Sequence, residues 1–132
     1  VACAPVADLA KGHEMRVSDE GDAVELYMKC KPDDEAGRAA YARASPSALL
    51  PVTFPVVVAF GDNDKDVPPE LVAGYVDEAS SSAPGLVRVA FCPDADHFDV
   101  VNAGSAAWKE HIVPALAAVL GAKAPEAAAA LR

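Results

Sequence analysis

The 132-residue chain is poor in basic charge, with 11 lysines and arginines against 20 aspartates and glutamates, for a net charge of −9. Such a field repels phosphate backbones and anionic lipid headgroups, which argues against nucleic-acid and membrane-surface binding. Long apolar runs are also missing. The strongest, around Val56–Phe60 and Ile112–Leu120, fall far short of the ~20 residues that span a bilayer. Cysteines are few and unpaired: Cys3, Cys30 and Cys92 stand far apart, an odd number with no C-x-x-C spacing. That excludes a disulfide framework and a paired-ligand zinc site, and leaves three small, mostly buried thiols of a cytoplasmic protein as the expectation. The first residues have no basic segment, and Pro5 and Asp8 interrupt them, so they do not read as a secretory signal. No internal repeat is present.

Apolar residues make up 52% of the chain, many of them alanine, and charged residues 23%. This is the composition of one globular domain with a real core. Val1–Val6 reads as the end of a short buried strand stopped by Pro5. The stretch from Lys11 to Ala44 is polar and helical. Ser18 and Asp19 are candidate caps for a helix carrying Val24, Tyr27 and Met28 on one face. Pro32-Asp33-Asp34-Glu35 opens a second helix, with acids where the helix dipole favours them. Pro46 and Pro51 then punctuate a loop.

Pro55–Phe60 is an unbroken β-branched run without alternation, the pattern of a strand covered on both faces, as in parallel sheets. Leu86–Cys92 is a second strand. Between them Pro68 or Pro69 opens a helix with Leu71, Val72, Tyr75, Val76 and Ala79 on its apolar stripe. Strand, helix and strand within about 37 residues form a βαβ unit. A last helix from Ser105 to Leu120 presents Trp108, Ile112 and Leu116, bent at Pro114. Residues 122–132 form an alanine-rich tail.

Two full strands and a stub make a small parallel sheet that needs more sheet beside it. The expected fold is therefore α/β: the C-terminal portion of a doubly wound, mostly parallel sheet. Residues 1–121 form the partial domain, with cap-like helices over residues 10–50. The chain starts at Val1 rather than a methionine, which suits the expectation that it is part of a larger domain.

Ligands of open α/β sheets bind beyond the carboxyl ends of the strands. Gly61-Asp62-Asn63-Asp64-Lys65-Asp66 follows the first full strand, and Pro93-Asp94-Ala95-Asp96-His97-Phe98-Asp99 follows the second. Asp64 and His97 lie 33 residues apart, one βαβ unit, so adjacent strands bring the two loops side by side. An acid and a histidine so placed suit the orienting pair of a hydrolytic triad: the carboxylate sets the tautomer, and the imidazole takes a proton from a nucleophile.

These residues resemble the C-terminal half of an α/β-hydrolase, nearest to the prolyl-oligopeptidase-like and feruloyl-esterase-like branch. Ala4–Leu9 resembles the end of that family's sixth strand and the turn after it. Ala44-Ser45-Pro46 with Leu49-Leu50-Pro51 resembles the lead into its seventh. Gly61-Asp62-Asn63-Asp64 followed by Val67-Pro68 is similar to its G-x-x-D-x-x-V-P turn, and Asp96–Val100 to its D-H-F-D-V motif. Trp108 matches its last helix. The resemblance covers about Val1 to Leu120. It implies Asp64 as triad acid, His97 as triad base, no cofactor, no metal, and a small ester or peptide as substrate.

The chain departs from the family in one respect: it contains no G-x-S-x-G nucleophile elbow, which in the family also brings the oxyanion donors from the same upstream half. The expectation is a fragment of a serine hydrolase carrying acid and base. Its serine would come from a longer native chain or a second polypeptide. The competing expectation is a non-catalytic α/β interaction module whose exposed sheet edge docks a partner.

Other constellations are weaker. Asp62, Asp64 and Asp66 mimic the first ligands of an EF-hand, but Val67 replaces the required glycine and Ala73 the closing glutamate. Asp94, Asp96, His97 and Asp99 read as a metal cluster or as a solvated acidic loop. His13-Glu14 lacks the second histidine of H-E-x-x-H, with Val17 in its place, and His111 reads as surface. Leu26, Tyr27, Met28 and Tyr41 either line an acyl or aromatic pocket or pack in the core.

Overall fold

A computed structural model describes residues 1–121 as a three-stranded, all-parallel sheet in the order β1-β2-β3, with helices on both faces. The expected tail, residues 122–132, lies outside the described residues. β1 is Ala2–Cys3, β2 Val56–Gly61 and β3 Val87–Cys92. Ala2 pairs with Val58, and β2 and β3 run in step from Val56↔Val87 to Gly61↔Cys92.

The uninterrupted apolar run of β2 follows from its central place. Val58 and Phe60 point into one cluster with Leu71, Val72, Tyr75, Val76 and Ala79 of α4, Pro69–Ser82. Val57 and Ala59 point into a second cluster, with Val100, Ile112 and Ala115. With side chains alternating across the strand, both faces must be apolar. Val58 and Ala59 are fully buried, and each buried valine or larger side chain contributes about 1.5–3 kcal/mol. β3 is an edge strand: Arg88, Val89 and Phe91 are exposed while Ala90 and Cys92 are buried. β1 is only partly buried.

α4 begins at Pro69, where the missing N–H costs nothing, and its five expected stripe residues are all buried. Residues 10–50 contribute to the same core rather than standing apart from it: Val24 of α2 (Ala23–Met28) and Tyr41 of α3 (Glu35–Ala44) join the α4-side cluster. α3 starts where its acids suggest, with the Asp34 side chain accepting from the Gly37 N–H. The buried Tyr41 hydroxyl donates to the Cys30 carbonyl oxygen at 2.9 Å, and burial pushes its ionisation above the usual tyrosine range.

Three local expectations are corrected. The helix placed after Ser18 starts only after Asp22, whose side chain makes no capping hydrogen bond, because Ser18 sits at a φ of 80° in a turn and gives its N–H to the Asp66 carbonyl. α2 is then only six residues long, ended by Lys29 at a φ of 55°; of the three residues expected on one face, Val24 is buried, Met28 packs against the same cluster, and Tyr27 is exposed. Leu9–Glu14 forms an unexpected short helix, α1, whose N-cap Asp8 accepts from the Lys11 N–H. The final helix is not one bent α-helix. Ala107–Ile112 is a π-helix in which the Val113 N–H reaches back to the Trp108 carbonyl, and α5 follows over Val113–Leu120 with Pro114 in its first turn. Pro114 cannot donate into the ladder, and the wider turn ahead of it lets a new helix start where a proline is tolerated.

Of the three cysteines only Cys92 is fully buried. Burial pushes its thiol up to about 11, the neighbouring Cys3 adding to the shift. The folded state therefore favours the protonated thiol. Its contribution is complete below pH 9, the ordinary thiol value, and is lost as pH rises toward 11, about 2–3 kcal/mol in all. Urea midpoints measured between pH 8 and 11 are expected to fall, with a shallower slope in Cys92→Ala. Cys3 and Tyr41 shift in the same direction, so part of the slope remains in that variant. No helix among the described residues is long and apolar enough to cross a membrane.

Candidate active site

The matched register of β2 and β3 ends both strands at one level, Gly61 beside Cys92, and sets the two following loops against each other. Gly61 permits the contact. A Cβ there would overlap the Ala95 carbonyl oxygen and lie 2.8 Å from the carbonyl carbon and Cβ of Ala95.

Asp64 sits three residues beyond β2. Its carboxylate is 1% exposed, and every bond it makes orients it. Oδ1 accepts the backbone N–H groups of Asp66 at 3.0 Å and Val67 at 2.8 Å. Oδ2 lies 2.9 Å from His97 Nδ1. Both oxygens of this buried carboxylate therefore have partners within the protein. His97 is 30% exposed at its side chain. With Nδ1 engaged, Nε2 is the nitrogen left to exchange a proton.

The loop that carries His97 is braced by its own acids. Asp96 Oδ1 accepts from the N–H groups of Phe98 and Asp99, and Asp99 Oδ2 accepts from the Asp96 N–H. Ser105 Oγ donates to the Asp99 carbonyl at 2.7 Å and accepts the Trp108 N–H at 3.0 Å, joining the loop to the π-helix. The Phe98 ring stands edge-on to the imidazole, centroids 5.5 Å apart.

Of the three aspartates in the first loop, the structure brings Asp64 to His97. Asp62 turns instead to the Asp94 N–H, so the EF-hand-like trio does not converge. Nor do Asp94, Asp96, His97 and Asp99, two of whose carboxylates brace backbone. The ligand-type grouping found among the described residues is Asp64, Asp66 and His97, whose nearest donor atoms lie within 4.8 Å of one another. A cation there would compete for the Asp64 oxygens with two backbone amides and the imidazole. His13 lies 3.9 Å from Glu25, away from this site, and His111 lies in the π-helix.

The tie through Asp62 was invisible in the sequence, where aspartate in an acidic loop reads as solvated. The bracing pair Asp96 and Asp99 had a legible signal, an acid one residue before and two after the histidine, although a metal cluster and a solvated acidic loop were the two readings it suggested. Comparison with known proteins adds nothing to this geometry: no family model, no curated protein and no solved structure matches the chain.

Proposed function

We propose that this chain is the acid- and base-bearing part of a serine hydrolase of α/β-hydrolase fold that cleaves ester or peptide bonds by acyl transfer. The observation that carries the reading is the 2.9 Å Asp64–His97 hydrogen bond at the carboxyl ends of adjacent parallel strands. Asp64 holds the imidazole with its proton on Nδ1 and stabilises the imidazolium. Nε2 takes the serine hydroxyl proton as the serine oxygen bonds to the substrate carbonyl carbon. It then returns that proton to the departing alcohol or amine, and water repeats the sequence to release the acid.

The serine comes from outside this chain. Ser45 is buried with its oxygen on the Leu9 N–H, Ser82 lies at the far end of α4, and Ser105 Oγ is spent on the loop backbone. A longer native polypeptide or a second chain supplies it.

The test is intact mass spectrometry of the protein from its source, followed by labelling with a fluorophosphonate probe and assays on p-nitrophenyl esters and dipeptide amides. The expected result is a labelled serine in a polypeptide that contains or binds this chain, with labelling abolished by His97→Ala. A native mass of 13.6 kDa with no labelled partner would sink the proposal. It would favour the second reading, a non-catalytic interaction module, which Val89 and Phe91 support by remaining exposed on edge strand β3.

A further inference from the structure

Three consecutive residues after β2 each reach across to the loop after β3. Asp62 Oδ1 accepts the Asp94 N–H at 2.7 Å, the Asn63 N–H donates to the Ala95 carbonyl at 3.1 Å, and Asp64 Oδ2 meets His97 Nδ1 at 2.9 Å. Only the last belongs to the acid–base pair. The Asn63 tie is backbone to backbone and would survive most substitutions. The Asp62 tie depends on one side chain.

The receiving end is a constrained position. Asp94 has a φ of 58°, in the left-handed region that side chains seldom adopt. That conformation delivers its N–H to the Asp62 carboxylate. Three residues later the same loop places His97, so the angle at Asp94 sets where the imidazole arrives. Asp62 is exposed, contributes nothing to the core, and adds a negative charge to a chain already at −9.

We propose that Asp62 is a positioning residue, which fixes the loop after β3 through the Asp94 amide so that His97 presents Nδ1 to Asp64. The effect of this positioning on rate rests on the reading of Asp64 and His97 as the acid–base pair of a hydrolase. A misplacement of about 1 Å in such a pair costs on the order of 10²-fold in rate. A loosened rather than lost contact is expected to cost about tenfold in kcat, with KM changed little.

The experiment is ¹⁵N NMR of histidine-labelled native-length protein, with His97→Gln used to assign the signal, alongside hydrolysis kinetics. The wild type is expected to carry its neutral proton on Nδ1. Asp62→Ala is expected to give a mixed tautomer, a broadened Nδ1 proton signal and the tenfold lower kcat. Asp62→Asn keeps an acceptor oxygen for the Asp94 N–H and is expected to restore the wild-type spectrum and rate. A wild-type tautomer in Asp62→Ala overturns the role. So does a mixed tautomer in Asp62→Asn, a comparison that stands even where the alanine variant fails to fold. If no variant hydrolyses any substrate while the tautomer still changes in Asp62→Ala, the positioning holds and the hydrolase reading fails. If activity is present and equal in all three proteins, the positioning fails alone.

Discussion

Asp64→Asn is expected to lower turnover by about 10⁴-fold while leaving the fold intact, because of how the carboxylate is held. Oδ1 accepts two backbone N–H groups, from Asp66 and Val67. An asparagine has one acceptor oxygen, and those two amides will claim it. Its NH₂ is then the group that faces His97 Nδ1, and a donor there forces the imidazole proton onto Nε2. That nitrogen can no longer accept a proton from a serine. Nitrogen shifts of His97 report the inverted tautomer directly, so the structural half of the prediction is readable apart from any assay. Asp64→Ala differs: it also strips the acceptor from the two amides, and leaving such groups unpaired costs about 1–3 kcal/mol of stability. A full-rate Asp64→Asn enzyme, or one with an unchanged His97 tautomer, would remove Asp64 from the role proposed for it.

Gly61→Ala is expected to damage both stability and site, by about 3 kcal/mol. The new methyl would overlap the carbonyl oxygen of Ala95, and a backbone neighbour cannot rotate away as a flexible side chain would. The loop after β3 must lift, which breaks the Asn63–Ala95 hydrogen bond and draws His97 from Asp64. Gly85→Ala is the control. Gly85 has open space around it but a φ of 82°, so its substitution carries conformational strain alone, about 1 kcal/mol. Urea midpoints of the two variants should separate, and only Gly61→Ala should disturb the His97 spectrum. Equal midpoints would mean that the loop yields without cost.

Much of the architecture was legible because it rests on local rules. Pro69 opens α4, and Leu71, Val72, Tyr75, Val76 and Ala79 are buried as their spacing requires. The lack of alternation in Val56–Phe60 announced a strand covered twice, and β2 is covered twice. The helix expected to open at Pro32 is present, though α3 starts at Glu35 with Asp34 as its cap. What escaped was decided by distant partners. Ser18 looked like a cap but gives its N–H to Asp66, far along the chain. Gly12 lies inside α1 although glycine disfavours helix, and a Cβ there would lie 2.6 Å from Val6 Cγ1, so close packing selects the residue that propensity alone disfavours. Pro114 promised a bend, and the chain answered with a π-turn before a fresh helix.

The candidate site divides in the same way. By itself the sequence determined the residue types, their order, and their separation by one βαβ unit, because strand and helix lengths follow from hydrophobic period and proline placement. The resemblance singled out Asp64 among Asp62, Asp64 and Asp66, but what seats its carboxylate on His97 is visible only in the folded chain. The register of β2 on β3 aligns Gly61 with Cys92. The absence of a Cβ at Gly61 then lets the loops touch, and the amides of Asp66 and Val67 turn one carboxylate of the three inward. The last is a local turn, with acceptor and donors two and three residues apart. The register and the close approach at Gly61 arise where distant segments are brought together by burial of the strands behind them.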